Sequence, residues 1–216
     1  MKNFAIILSG CGFRDGTEIT EAISVLISLT EFSANYQCFA PNIDKESTNH
    51  LNNNPGETRN LIEESARICR GDIKDLSELN SKDFDGLIFP GGFGAALNLC
   101  DWGQKGAGCS VVSDVEKSIQ EFYQEQKPIA ACCIAPVLLA KVLGKEEITL
   151  TIGNDKETAA EIEKTGAVHE TCPVDDFVTD RAHRILTTPA YMYDSASAHE
   201  VFSGIQPMIK ELVELA

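Results

Sequence analysis

The sequence predicts an α/β sandwich built on a mostly parallel sheet. Three observations predict it. Short, unbroken apolar runs recur at Phe4–Leu8, Gly86–Phe89 and Ile129–Cys132, which is how strands covered on both faces read. Between them apolar residues repeat at helical spacing, as from Thr17 to Leu29. Each run then passes into a glycine-rich loop or turns at once into a helix, the strand–loop–helix order of parallel sheets. No internal repeat and no linker divides the 216 residues. One domain over 1–216 is therefore expected, with a polar insertion around 41–56.

Phe4-Ala5-Ile6-Ile7-Leu8 is read as the first, central strand, and Ser9–Gly16 as the glycine-rich loop at its carboxyl end. Ile19, Ala22, Ile23, Leu26 and Ile27 lie at the spacing of a helix returning along the sheet. Glu18 and Glu21 stand three apart on one face near its start, where acidic residues also serve simply as dipole partners. The Gly-x-Gly of the loop is not a dinucleotide fingerprint: the third glycine is misplaced, and no acidic residue ends the second strand, Tyr36–Ala40. Glu57–Cys69 reads as a helix carrying Arg59 and Arg67, with Arg70 just beyond. These arginines suit either a solvated surface or the cover of a site for a small carboxylate or carbonyl.

Gly86–Pro90 is the next buried strand, and Gly91-Gly92-Phe93-Gly94 opens a short helix. A turn of this kind lets backbone N–H groups approach a ligand closely. It is not a phosphate loop, since no Gly-Lys-Ser/Thr follows. Ser113–Glu116 reads as a capping box for a helix to Gln126. Beyond residue 143 the expected elements are a strand at Ile148–Ile152 and a helix at Thr158–Thr165. Short strands at 168–170, 177–179 and 184–187 follow. A last helix is expected from an Asp194 cap, interrupted at Gly204 and Pro207.

The centre of the chain is Lys127–Ala140. A proline announces a buried strand, Ile129–Cys132, and within four residues Pro136 stands in the first turn of a helix, where a missing N–H costs nothing. The chain must turn sharply, and the turn pushes Cys133 out at the strand's carboxyl end. A thiol over a helix N-terminus is expected to favour the thiolate. The N–H of Ile134 is then placed to stabilise an oxyanion, as in a hydrolase elbow. The plainer alternative is that Cys132 and Cys133 are small buried hydrophobes.

Composition excludes several classes. A net charge of −15 argues against nucleic acid or an anionic membrane surface as partner. The eight cysteines are irregularly spaced without a C-x-x-C pair and the four histidines stand alone, so neither a disulfide framework nor a metal site is expected. Met1–Leu8 is too short and too weakly basic for a signal peptide, and the longest apolar run, near 128–140, falls short of the ~20 residues a bilayer needs. A reducing, cytoplasmic compartment is expected.

Gly16-Thr17-Glu18-Ile19-Thr20-Glu21, the Pro90–Leu99 stretch and Ala131-Cys132-Cys133-Ile134-Ala135-Pro136 together resemble the PfpI/Parkinson's-disease deglycase superfamily. That superfamily has a flavodoxin-like, class I glutamine-amidotransferase-like three-layer sandwich. Ile7–Gly12 with Asp15–Glu18 resembles one branch of it, the isoprenoid-biosynthesis amidotransferase-like proteins, also called lycopene-enhancing glyoxalases. The likeness continues through Glu57–Asn60, Leu150–Gly153, Cys172–Asp176 and Thr187–Met192, and so covers nearly the whole chain. It implies that Cys133 is the elbow nucleophile and that Glu18 or Glu21 hydrogen-bonds it. Gly91 and Gly92 would join the Ile134 N–H in an oxyanion pocket, with Cys11 lining the site. A homodimer is implied by the same analogy.

Departures from the superfamily narrow the chemistry. Protease-like members carry His after the elbow cysteine, where this chain has Ile134; amidotransferases close a later strand with His-x-Glu, where this chain has Thr188-Pro189-Ala190. A cysteine hydrolase needs such a base. Cysteine plus glutamate without histidine suits a cofactor-free glyoxalase converting glyoxal to glycolate and methylglyoxal to lactate. The alternatives are a redox or electrophile sensor and a non-enzymatic modulator of isoprenoid metabolism.

Overall fold

A computed structural model describes all 216 residues. The first half of the chain runs β1 (Asn3–Ile7), α1 (Ile19–Glu31), β2 (Asn35–Ala40), β3 (Asp44–Thr48), β4 (Pro55–Asn60), α2 (Leu61–Ser65), β5 (Ile73–Asp75), β6 (Gly86–Phe89), α3 (Phe93–Leu97) and α4 (Trp102–Lys105). The second half runs α5 (Ser113–Gln124), β7 (Ile129–Cys132), α6 (Pro136–Leu143), β8 (Thr149–Leu150), α7 (Lys156–Glu163), β9 (Val168–His169), β10 (Val178–Asp180), β11 (Ile185–Thr188) and α8 (Ala198–Leu215).

Seven strands form the central sheet in the order β10-β11-β7-β6-β1-β2-β5, parallel throughout except for the edge strand β10. The expected α/β sandwich is therefore present. The apolar runs are its central strands: every residue of β6, β7 and β11 is buried. Helices α1 and α8 pack on each other along one face, while α5 packs on β6, β7 and α6. The chain leaves β1 toward β2 and leaves β6 toward β7, in opposite directions along the sheet. The loops after β1 and β6 thus flank a topological switch point, where open α/β sheets form their crevice.

Several local expectations are corrected. Pro55–Asn60 pairs with β3 as a hairpin, so Arg59 sits on a strand, and only Leu61–Ser65, capped by Asn60, is helical. The polar stretch 41–56 is thus largely hairpin. Ser113 lies inside α5 without a side-chain cap. β8 pairs with β9 outside the main sheet. Helix α8 starts from a capping box at Ser197 and Glu200 rather than at Asp194, and it runs unbroken through Gly204 and Pro207. An interior proline costs about 3 kcal/mol. Burying Val201, Ile205, Met208, Ile209 and Leu212 against the sheet and α1 outweighs that, at roughly 1.5–3 kcal/mol for each large side chain.

Helix α1 departs in another way. Ala22, Val25 and Leu29 face the core, but Ile19, Ile23 and Ile27 are 47%, 36% and 51% exposed. Three isoleucines one turn apart therefore form an outward apolar stripe.

Candidate active site

The elbow is present. β7 ends at Cys132, and Cys133 takes φ 58°, a left-handed backbone that costs a non-glycine residue ~1–2 kcal/mol. The strain is held from both sides. The Cys133 N–H donates to the Thr188 carbonyl at the end of neighbouring β11 (2.9 Å), and Pro136 starts α6 three residues on. Cys132 points into the core and is fully buried.

The two glutamates part company. Glu18 is the N-cap of α1, its Oε2 accepting from the Glu21 N–H at 2.7 Å. Glu21, one turn on, is wholly buried. Its Oε2 accepts from the Gly91 N–H (2.9 Å) and its Oε1 from the Tyr191 N–H (3.2 Å); the Cys133 thiol is its remaining polar neighbour. The geometry thus brings Glu21 to the sulfur and leaves Glu18 at the helix cap. A Cβ on Gly91 would fall 2.4 Å from the Cys133 Cβ and 2.6 Å from Glu21 Oε2, so only glycine lets these side chains meet. Gly92, at φ 93°, turns its N–H toward the sulfur, and the Ile134 N–H does the same. The N–H pair facing Cys133 is therefore Gly92 and Ile134, because Gly91 serves the carboxylate.

Electrostatics follow from burial. Desolvation, and then the nearby charge of Glu18, push the Glu21 carboxyl up to about 8, against the opposing pull of the Tyr191 and Gly91 N–H groups. Burial and the Glu21 carboxyl also push the Cys133 thiol well above its usual value, outweighing the Gly92 and Ile134 N–H groups. The expected thiolate is corrected on this point. The first-turn N–H groups of α6 are already bonded: Ala135 to the Cys132 carbonyl, Val137 to Ile134 and Leu138 to Ala135, while Pro136 has none. At the elbow that leaves the Ile134 N–H, joined by the Gly92 N–H from the neighbouring loop, to favour negative sulfur, and burial outweighs both. The resting pair is a neutral carboxyl against a protonated thiol.

Other predicted residues lie elsewhere. Cys11 is half-buried in a small cavity of about 60 Å³ between the first loop and the β3–β4 hairpin, lined also by Asp15, His50, Arg59 and Glu64. Arg59 and Arg67 both pair with Glu64, at 3.6 and 3.0 Å, and neither joins the Cys133–Glu21 pair. No histidine serves the cysteine. His50 bonds Thr48 and Arg14, His169 accepts from the Ile152 N–H, His183 pairs with Asp180, and His199 lies exposed on α8. The residue that sequence reasoning missed is Tyr191, whose contribution is a backbone N–H and so carries no residue-type signal. Its one trace is the Thr188-Pro189-Ala190 turn, where Ala190 has φ 45°.

Comparison with known proteins establishes the family and the fold. No protein-family model matches the chain. The human glutamine amidotransferase-like class 1 domain-containing protein 3, mitochondrial, is 43% identical over 98% of this chain and 82% of its own length. The chain belongs to this family, whose members include the ES1 proteins. Within the solved structures, an isoprenoid biosynthesis protein with an amidotransferase-like domain from Ehrlichia chaffeensis is 38% identical, with a TM-score of 0.93 over 100% of this chain and 99% of that one. The resemblance to the isoprenoid-biosynthesis amidotransferase-like branch therefore stands, and with it the flavodoxin-like fold. A ThiJ/PfpI domain protein from Brachyspira murdochii, 18% identical with a TM-score of 0.57 over 95% and 96% of the two chains, shares the fold alone. The human relative is named as mitochondrial. For this chain, no helix is long and apolar enough to cross a membrane.

Proposed function

We propose that this family member is a cofactor-independent glyoxalase for small 2-oxoaldehydes, with Cys133 as nucleophile and Glu21 as proton shuttle. The observation that carries the reading is a buried carboxyl, raised to about 8, set against an elbow thiol with no histidine beside it. An acid–base group tuned near working pH is what proton transfer needs. The ionised form of Glu21, reached as pH approaches 8, takes the thiol proton as the sulfur bonds to the aldehyde carbon, and the new oxyanion rests on the Gly92 and Ile134 N–H groups. Glu21 returns that proton to the oxygen, giving a hemithioacetal. It then lifts the proton from the former aldehyde carbon and delivers it to the neighbouring carbonyl carbon, while the hydroxyl proton of the hemithioacetal passes to the oxygen on that neighbouring carbon. The first carbon is oxidised to a thioester and the second reduced to an alcohol. Water cleaves the thioester, giving glycolate or lactate and the free thiol, with no external oxidant or reductant.

The test is formation of glycolate from glyoxal and lactate from methylglyoxal by purified protein without added thiol. Product at the uncatalysed rate overturns the reading. The burial of Cys133 and its raised thiol weigh against the sensor alternative, which calls for an exposed, low-pKa cysteine. Because Glu18 raises the Glu21 carboxyl by its charge, Glu18→Gln is expected to let Glu21 ionise at lower pH. The rising limb of kcat/KM then moves to lower pH, while the amide oxygen still caps α1. A limb that stays in place rejects the coupling.

The cytoplasm is the proposed compartment, supported by eight free thiols. A homodimer is proposed as well, supported by the exposed Ile19, Ile23 and Ile27 stripe. Sedimentation is expected to give a dimer for wild type and a monomer for Ile23→Glu; a monomeric wild type removes the proposal.

A further inference from the structure

A groove of about 640 Å³ opens beside the elbow. Two of its walls, Phe93 and Ile134, are the chain neighbours of Gly92 and Cys133, and the N–H of Ile134 itself faces the sulfur. Ala96 and the indole of Trp102 continue the apolar surface. Its lining also carries Glu157 and Glu161, and no lysine or arginine lines it. Glu161 is engaged by Lys164 and the Ala107 N–H, whereas Glu157 is exposed and carries no ion pair.

Glyoxal and methylglyoxal leave nearly all of this space empty, since pockets for drug-sized ligands run roughly 300–1,000 Å³. Ile134 is shared between the elbow and the groove: its N–H faces the sulfur, and the residue lines the groove. We infer that the groove is the substrate-tail site, and that the preferred substrate is a 2-oxoaldehyde bearing an apolar chain that ends in a cation. The inference rests on the glyoxalase reading and deepens it. Phe93 and Trp102 take the chain by burial, and Glu157 takes the cation. The charge of the whole chain, −15, draws cations in the same sense.

The experiment compares kcat/KM for methylglyoxal, hexylglyoxal and the same alkyl chain ending in trimethylammonium. For wild type, hexylglyoxal is expected to exceed methylglyoxal at least about tenfold, the equivalent of two buried methylenes, and the ammonium-tailed substrate to exceed hexylglyoxal severalfold. Phe93→Ser is expected to shrink the first ratio toward one; with Phe93 51% exposed, the fold tolerates the change. Glu157→Lys is expected to invert the second ratio. Turnover of methylglyoxal with no gain for either longer substrate overturns the groove assignment and leaves the glyoxalase reading standing. Failure of all three substrates overturns both.

Discussion

Replacing Cys133 with alanine is expected to reduce lactate and glycolate formation to the uncatalysed rate. The carbon–sulfur bond is the first step of the proposed reaction, and no second nucleophile can take its place. Cys132 is fully buried in the core, and Cys11 lies in a separate cavity by the β3–β4 hairpin. Folding survives the change: the Cys133 N–H still bonds Thr188, alanine is the smaller side chain, and the left-handed φ of 58° is no worse for alanine than for cysteine. Product quantification beside a thermal melt separates lost chemistry from lost fold. Turnover within tenfold of wild type in a folded Cys133→Ala protein removes the cysteine from the mechanism.

Glu21→Gln is expected to lower kcat by ~10²–10⁴, the usual contribution of a positioned acid–base group. It also changes stability in a pH-dependent way. Folding raises the Glu21 carboxyl from its usual 4.5 to about 8. A group raised in this sense contributes stability that is full below 4.5 and is lost as pH climbs toward 8, at a slope of at most about 1.4 kcal/mol per pH unit. Glutamine does not titrate and escapes that loss. It does, however, carry one acceptor oxygen where Glu21 serves both the Gly91 and the Tyr191 N–H, so one buried donor is left unpaired at a cost of ~1–3 kcal/mol. The variant therefore melts below wild type at pH 5, and the gap closes and reverses toward pH 8. Melting curves across that range check it. A gap independent of pH shows that Glu21 is ionised throughout and rejects the proton-sharing pair.

Much of this was legible in the chain. Continuous apolar runs can be buried only as central strands, and β1, β6 and β7 appear where those runs lie. Pro136 so soon after a strand demands an abrupt turn, and Cys133 is at it. The structure departs from expectation where local composition carries little information. Glu57–Asn60 has helix-compatible residues, yet it pairs with β3 because tertiary pairing overrides a weak propensity. Pro207 reads as a break, yet α8 continues because its buried face holds it.

By itself, then, the sequence determined the parallel sheet, the elbow cysteine, the missing histidine and a pair of candidate glutamates. Only the tertiary structure chose between that pair. Helical spacing puts Glu18 and Glu21 on one face, but the Gly91 and Tyr191 N–H groups, brought in from two distant loops, converge on Glu21 alone. The protonation state was decided there too. A helix start argues for a thiolate, but burial removes the water that would solvate it, and the neighbouring buried carboxyl opposes a second negative charge.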